Sequence, residues 1–418
     1  MGLRIASVRA VEILDSRGRP TLSVTLNTAD GHSVWAGVPS GASTGSGEAV
    51  ELRDGDKDRY GGKGVLTAVG HVSTEISDAL AGRDFTDLAA LDEALVDLDG
   101  TENKSRLGAN AIVGVSMAAA RAFAQLAGVP LWRYLTPDGV QPRLPVPHFN
   151  VVNGGAHAPN RLDFQEFMIA PVGAPTLAEA VRAGAEVYAA LRARLAEAGF
   201  ATGLGDEGGF APDIVQPEQV LDTLVAAIGD AGYTAGRDAV AIALDPAASE
   251  FHRDGRYHVA GEALSAEEMI DRYAAIVDRY PVWSIEDGLA EDDWDGWVRL
   301  TDRLGDRVQI VGDDLLVTNP VVVSRAIERR AGTAALIKVN QIGTVTETLD
   351  TMRICRQAGW AQMVSHRSGE TADAFIADLA TGAGCGQLKT GAPARGERVA
   401  KYNRLIEIEA DSSLAYGL

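Results

Sequence analysis

The sequence is poor in cysteine, and this limits the structural frameworks that it can form. Of its 418 residues only two are cysteines, Cys355 and Cys385, and neither belongs to a closely spaced pair. A disulfide framework or a structural zinc site is therefore not expected. Reduced thiols are typical of cytoplasmic proteins, so we expect a cytoplasmic location. A chain of this length can bury a large core without such cross-links.

Positive charge and long apolar runs are also scarce. The formal net charge is −20 at pH 7, and the chain has six lysines. An acidic surface repels nucleic acid and anionic membranes, so neither is expected as a partner. No apolar run approaches the ~18 residues of a membrane-spanning helix. The first residues, MGLRIASVRAVEIL, mix charged with apolar residues and do not read as a signal peptide. An anionic substrate would therefore need a locally positive site.

What the sequence does contain is a series of short apolar runs that each end in a reactive residue. Most consecutive runs are separated by about the length of one strand, one helix and two loops, and the first gap, from Asp245 to Glu286, is longer. A charged residue at the end of a buried strand is costly unless it has a function. In α/β barrels such strand ends converge on the active site. The terminal residues of these runs are Asp245, Glu286, Asp313, Lys338, His366 and Lys389.

The first third of the chain has a different pattern. Residues 5–38 read as a three-stranded meander, because β-rich runs alternate with turn-forming DSRGRP and ADGH. Residues 62–135 show helical spacing of apolar residues. These patterns predict an N-terminal α+β domain over residues 1–135, with a mobile loop of small residues at 39–48.

The remaining residues, 136–418, are predicted to form a second domain, which begins at a proline-rich connector. LPVPHFNVV and DFQEFMIAP read as strands, and the short segment between them leaves no room for a crossover helix. They are therefore expected to be antiparallel. Helices near 176–198 and 216–231 follow, and then six strand–helix units. The predicted fold class is α/β, with an irregular ββαα(βα)6 barrel of eight strands.

Asp245, Glu286 and Asp313 end three successive strands of this predicted barrel. Carboxylates that converge at a barrel mouth repel one another unless a cation lies among them. All-oxygen ligation by few protein groups suits Mg²⁺. The alternative interpretation is three solvated helix N-caps, because Asp commonly begins a helix.

Lys338 and Glu207 are the candidates for acid–base chemistry. Lys338 lies between apolar residues, so it is either buried and paired or a base with a lowered pKa. Glu207 lies in a glycine-rich loop beside Asp206, which suits a general acid. With a metal-bound substrate carboxylate, such a pair would remove an α-proton and expel a β-hydroxyl as water.

Further candidate residues lie in loops on the same predicted face. His157 and His366 lie in glycine- or serine-rich segments, where a catalytic or binding role is favoured over a structural one. Arg367 and Ser368 combine a fork-shaped cation with a hydroxyl, which suits a phosphate group. Lys389 adds a point charge. These groups predict a site for a small, multiply charged anion.

The chain resembles the enolase family (phosphopyruvate hydratases) over nearly its full length. The motifs that carry the resemblance include VPSGASTG, LGANAIVGVS, NGGAHA, QEFMIAP, GLGDEGGFAP, SIEDGL, VGDDL, IKVNQIGT, SHRSGET and KTGAPAR. The resemblance implies reversible, Mg²⁺-dependent dehydration of 2-phospho-D-glycerate to phosphoenolpyruvate in glycolysis. It also implies a cytoplasmic homodimer or homo-octamer. A lysine base that acts with one or two Mg²⁺ ions is the known pattern of this superfamily.

The resemblance also implies a role for each matching residue. Lys338 resembles the base, Glu207 the general acid, and Glu166 the carboxylate that supports the acid, with Gln165 beside it. His157 resembles the residue that closes over substrate. The other implied contacts are Asp245, Glu286 and Asp313 to one Mg²⁺, Ser43 to a second Mg²⁺, Arg367 and Ser368 to phosphate, with His366 before them, and Lys389 to the substrate carboxylate.

Departures from the family pattern leave a second hypothesis open. His148 replaces a usual methionine, and Arg161 adds a positive charge after the His157 loop. Both are candidate specificity residues for a larger or more anionic analogue. The chain could then resemble the carboxyphosphonoenolpyruvate synthases of phosphonate-antibiotic biosynthesis. A third hypothesis, a catalytically inactive binding or scaffold protein, conflicts with the complete set of catalytic residues. The sequence leaves the substrate and the assembly state open.

Overall fold

The computed structural model describes residues 2–42 and 44–418. It contains an N-terminal antiparallel sheet with helices, followed by a closed eight-stranded barrel. The predicted fold class is therefore confirmed, and the boundary between residues 135 and 136 stays a prediction. No helix in the described ranges combines the length and the hydropathy needed to cross a membrane.

The N-terminal sheet has four strands rather than the predicted three, in the order β3-β2-β1-β4. The additional strand pairs with the start of the first strand. It has only two residues, which is too short for a recognisable sequence pattern. The strands are β1 (Leu3–Leu14), β2 (Pro20–Thr28), β3 (Ser33–Gly37) and β4 (Asp84–Phe85). The helices are α1 (Leu66–His71), α2 (Ser77–Leu80), α3 (Leu88–Asp99), α4 (Ala109–Leu126) and α5 (Leu131–Tyr134).

Helix α4 is the centre of this N-terminal part. It is buried around most of its circumference, as expected for an Ala-rich helix without a polar face. Gly114 in α4 allows the helix to approach the sheet closely. A Cβ atom there would lie 2.6 Å from a methyl carbon of Val24 and 2.8 Å from one of Val38. A larger residue at this position would push the helix away from the sheet.

The barrel has the predicted order of elements. Its second strand is antiparallel to both neighbours, and the other neighbouring strands are parallel. The strands are β5 (Val146–Asn153), β6 (Glu166–Ala170), β7 (Ala241–Asp245), β11 (Val282–Glu286), β12 (Gln309–Gly312), β13 (Ala334–Ile337), β14 (Ala361–Ser365) and β15 (Gln387–Lys389). The antiparallel pairing of the first two strands was predicted from the short segment between them and is confirmed.

The barrel helices begin where the sequence supplies caps. Thr176 accepts a hydrogen bond from the Glu179 N–H, and Ser265 forms a reciprocal capping box with Glu268. The helices are α6 (Leu177–Glu197), α7 (Pro217–Asp230), α8 (Ala266–Arg279), α9 (Trp294–Leu304), α10 (Pro320–Arg329), α11 (Val339–Ile342), α12 (Val345–Gln357), α13 (Phe375–Gly382) and α14 (Gly396–Asp411).

A small antiparallel sheet interrupts the first strand–helix unit. Its strands are β8 (His252–Arg253), β9 (Arg256–Val259) and β10 (Glu262–Leu264). The sequence analysis did not predict this insertion. It explains why the apolar runs ending at Asp245 and Glu286 lie farther apart than the others.

A buried carboxyl group joins the N-terminal helices to the barrel. Asp92 in α3 accepts hydrogen bonds from the N–H and the hydroxyl of Thr346, at 3.0 and 2.6 Å. Burial raises the pKa of Asp92 from 3.8 to about 6. Between these pH values the unfolded chain releases a proton that the folded protein keeps, so stability falls as the pH rises.

Asp92→Asn is expected to remove this pH-dependent loss of folding stability. In the wild-type protein the loss amounts to about 3 kcal/mol above pH 6. The unfolding free energy of the variant, relative to wild type, should therefore increase by about 1 kcal/mol between pH 5 and pH 7.5. Urea unfolding at both pH values measures it. Asp97→Asn on the exposed side of the same helix controls for the change in net charge. If the unfolding free energies of Asp92→Asn and wild type differ by the same amount at both pH values, the prediction is wrong.

Candidate active site

A small cavity lies at the carboxyl ends of the barrel strands, with an empty volume of about 260 Å³. It brings together most of the residues predicted from the strand ends and their loops. The cavity is lined by His157, Gln165, Glu166, Glu207, Asp245, Lys338, Ser365, His366, Arg367, Ser368 and Lys389. We call this space the barrel cavity.

The Lys389 ammonium group lies among three carboxylates of neighbouring strands. Its Nζ is 2.7 Å from Glu286 Oε1, 3.2 Å from Glu166 Oε2 and 3.4 Å from Asp245 Oδ2. Burial alone would lower the pKa of Lys389, but these carboxylates raise it well above its ordinary value. Lys389 is therefore a permanent cation that partly neutralises the carboxylates.

The single positive charge of Lys389 does not neutralise all three carboxylates. The negative charge that is left suits a divalent cation. Glu286 is buried, and its Oε2 atom has no hydrogen-bond partner. Burial and the nearby Asp245 raise the pKa of Glu286 well above its ordinary value. An unpartnered carboxylate oxygen beside further carboxylates is the oxygen-only donor set that suits Mg²⁺. Asp245, Glu286 and Asp313 together fit such an ion.

The carboxylates that lie closest together are partly different ones. Ligand atoms lie within 4.8 Å of one another in the group Asp287, Asp313 and Asp314, which contains only one of the three predicted ligands. However, the two Asp287 oxygens accept the N–H groups of Asp313 and Asp314, at 2.8 and 2.9 Å. Asp287 therefore shapes the turn after β12, and we favour Asp245 and Glu286 as partners of Asp313.

Lys338 follows β13 and pairs with Asp313 through its Nζ. Burial alone would lower the pKa of Lys338, but the Asp313 carboxylate outweighs burial and raises it. Of the two predicted alternatives, the paired lysine is observed in this state, with 12% of its side chain exposed. The Asp313 carboxylate also accepts a hydrogen bond from Gln341 Nε2 at 2.9 Å. Gln341 thus helps to hold Asp313 beside Lys338.

A strained turn supports these two residues. Thr318 is fully buried and has φ of +54°, a rare conformation for a β-branched residue. Its hydroxyl accepts the Lys338 N–H at 2.9 Å and donates to Gln341 Oε1 at 2.6 Å. Strain of this kind persists where surrounding contacts hold a functional geometry. The turn links the base candidate to the metal-ligand candidate Asp313.

Glu166 and Glu207 form a carboxyl pair with opposite pKa shifts. Burial and the charge of Glu207 raise the pKa of Glu166 well above its ordinary value. Burial alone would raise the pKa of Glu207, but His366 and His157 hold it well below its ordinary value. His157 Nδ1 lies 3.7 Å from an oxygen of each carboxyl group. Glu166 is therefore the member of the pair that takes up a proton more readily, and Glu207 is the member that is more readily ionised.

The predicted phosphate-binding residues contact the loop at 39–48. Arg367 donates to both oxygens of Glu48 at 3.0 Å, and both side chains are largely buried. The Ser368 hydroxyl accepts the Ala42 N–H at 3.2 Å. The described part of this loop thus packs on the segment that follows β14. Its mobility stays a prediction.

Five predicted site residues do not line the cavity or cannot be placed. Two of them, Glu286 and Asp313, lie beside the cavity and pair with two of its lining lysines. His148 is fully buried within β5, its Nδ1 is 3.1 Å from the Val146 carbonyl oxygen, and burial lowers its pKa to about 4. Arg161 is exposed and pairs with Asp213, with Nε 2.8 Å from Oδ1. Neither contributes to the barrel cavity. Ser43 lies outside the described residues.

Sequence reasoning did not identify several residues that support the site. Asn150 donates to Glu207 Oε2 at 2.9 Å, and Glu48 pairs with Arg367. Gln341 and Thr318 hold Asp313 and Lys338. Asn150 lies three residues before the end of a strand, so the search for reactive strand ends passed over it. The other contacts join distant parts of the chain, which a local pattern cannot reveal.

Comparisons with known proteins agree with this architecture. A family model described as "Enolase, N-terminal domain" matches residues 5–135, and one described as "Enolase, C-terminal TIM barrel domain" matches residues 141–415. A curated protein of Rubrobacter xylanophilus named "Enolase" is 59% identical over 407 residues. The match covers 97% of this chain and 94% of that protein.

Proposed function

The chain belongs to the enolase family of hydro-lyases, and from this we propose that it catalyses the reversible dehydration of 2-phospho-D-glycerate to phosphoenolpyruvate in glycolysis. One observation carries the proposal. The barrel cavity is lined both by a candidate base, Lys338, and by a candidate acid, Glu207, together with cationic side chains that suit an anion. The fold alone would not support an activity, because one fold hosts many functions.

The first chemical step is removal of the proton from C2 of the substrate by Lys338 Nζ. Arg367 and Ser368 hold the phosphate, and Lys389 faces the substrate carboxylate. Lys338 must be neutral to act, so the proton that Asp313 now stabilises on it has to leave first. The electron pair of the broken C2–H bond passes into the substrate carboxylate, where nearby positive charge stabilises it.

The second step is loss of the C3 hydroxyl group as water. Glu207 protonates the departing oxygen, and the C2 electron pair forms the C2–C3 double bond as the C3–O bond breaks. Glu207 is ionised in the present state, so it must first receive a proton. Glu166, whose pKa is raised, is the nearby group suited to supply one, and His157 lies between the two carboxyl groups. Carboxyl groups with separated pKa values commonly divide acid and base roles in this way.

Mg²⁺ is the proposed cofactor. When bound by Asp245, Glu286 and Asp313, it supplies electrostatic stabilisation for a carboxylate that gains negative charge. A second Mg²⁺ near Ser43 is part of the proposal by family resemblance. A cytoplasmic homo-oligomer, dimer or octamer, is proposed on the same basis, as is the domain division at residues 135 and 136.

The specialised-substrate hypothesis gains no support from the structure. Arg161 points to solvent with Asp213, and His148 is enclosed in the barrel, so neither reaches the cavity that would hold the substrate. We therefore propose 2-phospho-D-glycerate itself.

The proposal predicts a kcat within the ordinary enzyme range, about 1–10³ s⁻¹, with 2-phospho-D-glycerate and Mg²⁺. The ultraviolet absorbance of the phosphoenolpyruvate double bond measures the rate. Arg161→Ala should leave KM unchanged, because the guanidinium group is paired away from the cavity. Arg182→Ala, which removes another exposed and paired arginine, is the matched control. A rate far below this range, or a large rise of KM in Arg161→Ala alone, would favour a specialised substrate.

A further inference from the structure

Arg398 is a fully buried arginine that contacts residues of the site without lining the barrel cavity. It lies in the first turn of α14 with none of its surface exposed. A buried guanidinium group is costly unless its donors are used. Neither the strand-end pattern nor the matched motifs assigned a role to this residue.

The N–H groups of Arg398 donate to the segments that carry the proposed phosphate-binding residues and the proposed general acid. Nη1 lies 2.6 Å from His366 Nδ1 and 2.6 Å from the Arg367 carbonyl oxygen. Nη2 lies 2.6 Å from the Ser368 carbonyl oxygen. One guanidinium group thus contacts three consecutive residues after β14. Its remaining contacts are Nη2 to the Asp206 carbonyl oxygen and to Ser16 Oγ, each at 3.2 Å, and Nε at 3.3 Å from Glu397 Oε1.

The contact with His366 determines where the imidazole carries its proton. A guanidinium group has only donors, so His366 Nδ1 must be the acceptor. Burial lowers the pKa of His366 to about 3, so the ring is neutral at pH 7. A neutral ring whose Nδ1 accepts has its single proton on Nε2. The geometry with Arg398 therefore selects one tautomer.

The protonated nitrogen faces the proposed acid. His366 Nε2 lies 3.1 Å from Glu207 Oε2, at hydrogen-bonding distance although not yet in hydrogen-bonding alignment. Such contacts often tighten only when substrate binds. The opposite tautomer would turn a lone pair toward the Glu207 carboxylate and repel it.

We propose that Arg398 is a positioning residue that fixes the Nε2–H tautomer of His366 and directs it at Glu207. This inference rests on the proposed function only for its catalytic consequence. The tautomer itself follows from the hydrogen bonds. Supporting residues that orient a functional imidazole in this way typically change activity 10- to 100-fold when replaced, on the order of what we expect here.

Nitrogen-15 NMR of the histidine side chains in the full-length wild-type protein is the first test, because it needs no variant to fold. The expected result at pH 7 is that His366 Nε2 is protonated and Nδ1 is not, with the signal assigned by its loss in His366→Gln. A protonated Nδ1 would overturn the proposal, whatever the activity. Absence of dehydration with the expected tautomer would instead overturn the proposed function and leave this inference standing.

Arg398→Met and Arg398→Lys are the second test. In Arg398→Met we expect mixed tautomers of His366 and a fall in kcat of about 10- to 100-fold with little change in KM. Arg398→Lys retains a cationic donor group and should recover part of the tautomer preference and part of kcat. Lys401→Met is the matched control, because Lys401 is buried on the same helix and holds Glu370 without touching His366. A folded Arg398→Met protein with an unchanged tautomer would overturn the proposal, and if this variant does not fold, the wild-type spectrum decides.

Discussion

Lys338→Met is expected to lower kcat for 2-phospho-D-glycerate by about 10²–10⁴-fold, the usual contribution of a positioned base. Methionine has a similar length but cannot accept the C2 proton. It also leaves the Asp313 carboxylate without the ammonium group that now pairs with it. Steady-state measurement of phosphoenolpyruvate formation at saturating Mg²⁺ and substrate gives kcat directly.

The matched control for this prediction is Lys104→Met. Lys104 is also buried and also pairs with a carboxylate, since its Nζ is 2.9 Å from Glu347 Oε1. It does not line the barrel cavity. The control therefore reproduces the loss of a buried ion pair without removing a base. Similar losses of kcat in both variants would show that Lys338 acts through stability rather than through chemistry.

Isotope exchange separates the proposed base from the proposed acid. In D₂O, the C2 hydrogen of the substrate should exchange in Glu207→Gln, because Lys338 can still remove it. Exchange should be lost in Lys338→Met. Both variants should be slow in overall dehydration. Retained exchange in Lys338→Met would assign the base to another residue of the cavity.

Glu286→Gln is expected to weaken Mg²⁺ binding by more than about 100-fold, beyond what loss of a supporting residue costs. The glutamine removes a negative charge from a buried group that already has an unpartnered oxygen. It also leaves Lys389 with one carboxylate fewer. Isothermal titration of the protein with Mg²⁺ measures the effect without reference to activity.

Asp378→Asn is the matched control for the metal prediction. Asp378 is a buried carboxylate that pairs with Arg404, with oxygen and nitrogen 2.8 Å apart, and it lies outside the barrel cavity. Its replacement should leave the Mg²⁺ affinity unchanged. If Glu286→Gln binds Mg²⁺ as tightly as wild type, the ion is held by other carboxylates, and the group of Asp287, Asp313 and Asp314 becomes the first alternative.

The barrel was predictable because its evidence is local. Each strand is a short apolar run, and each reactive residue stands at its end, so position along the chain indicates position on the barrel. The antiparallel start followed from the short segment between β5 and β6. The strands that were missed, β4 and the β8–β10 insertion, are two to four residues long. Segments so short carry little periodicity, and their pairing depends on the surrounding structure.

The site was predictable only in its parts. Residue type and motif indicated which side chains carry the chemistry, but not which of them share protons or charges. The pairing of Lys338 with Asp313 and the placement of Lys389 among three carboxylates depend on how the strands close into a barrel. The opposite pKa shifts of Glu166 and Glu207 depend on burial and on two neighbouring imidazoles. These ion pairs and pKa shifts depend on distances in the folded protein, which the order of residues does not give.

The sequence by itself determined the class of fold and the order of the barrel strands, because apolar periodicity and reactive strand ends are local properties. It also indicated the residues that we propose for a dehydration. Only the tertiary structure decided the state of those residues. It placed Arg161 and His148 outside the cavity, and it brought Arg398 of the last helix against His366. Both outcomes depend on contacts between residues far apart in the chain, which form only when the barrel closes.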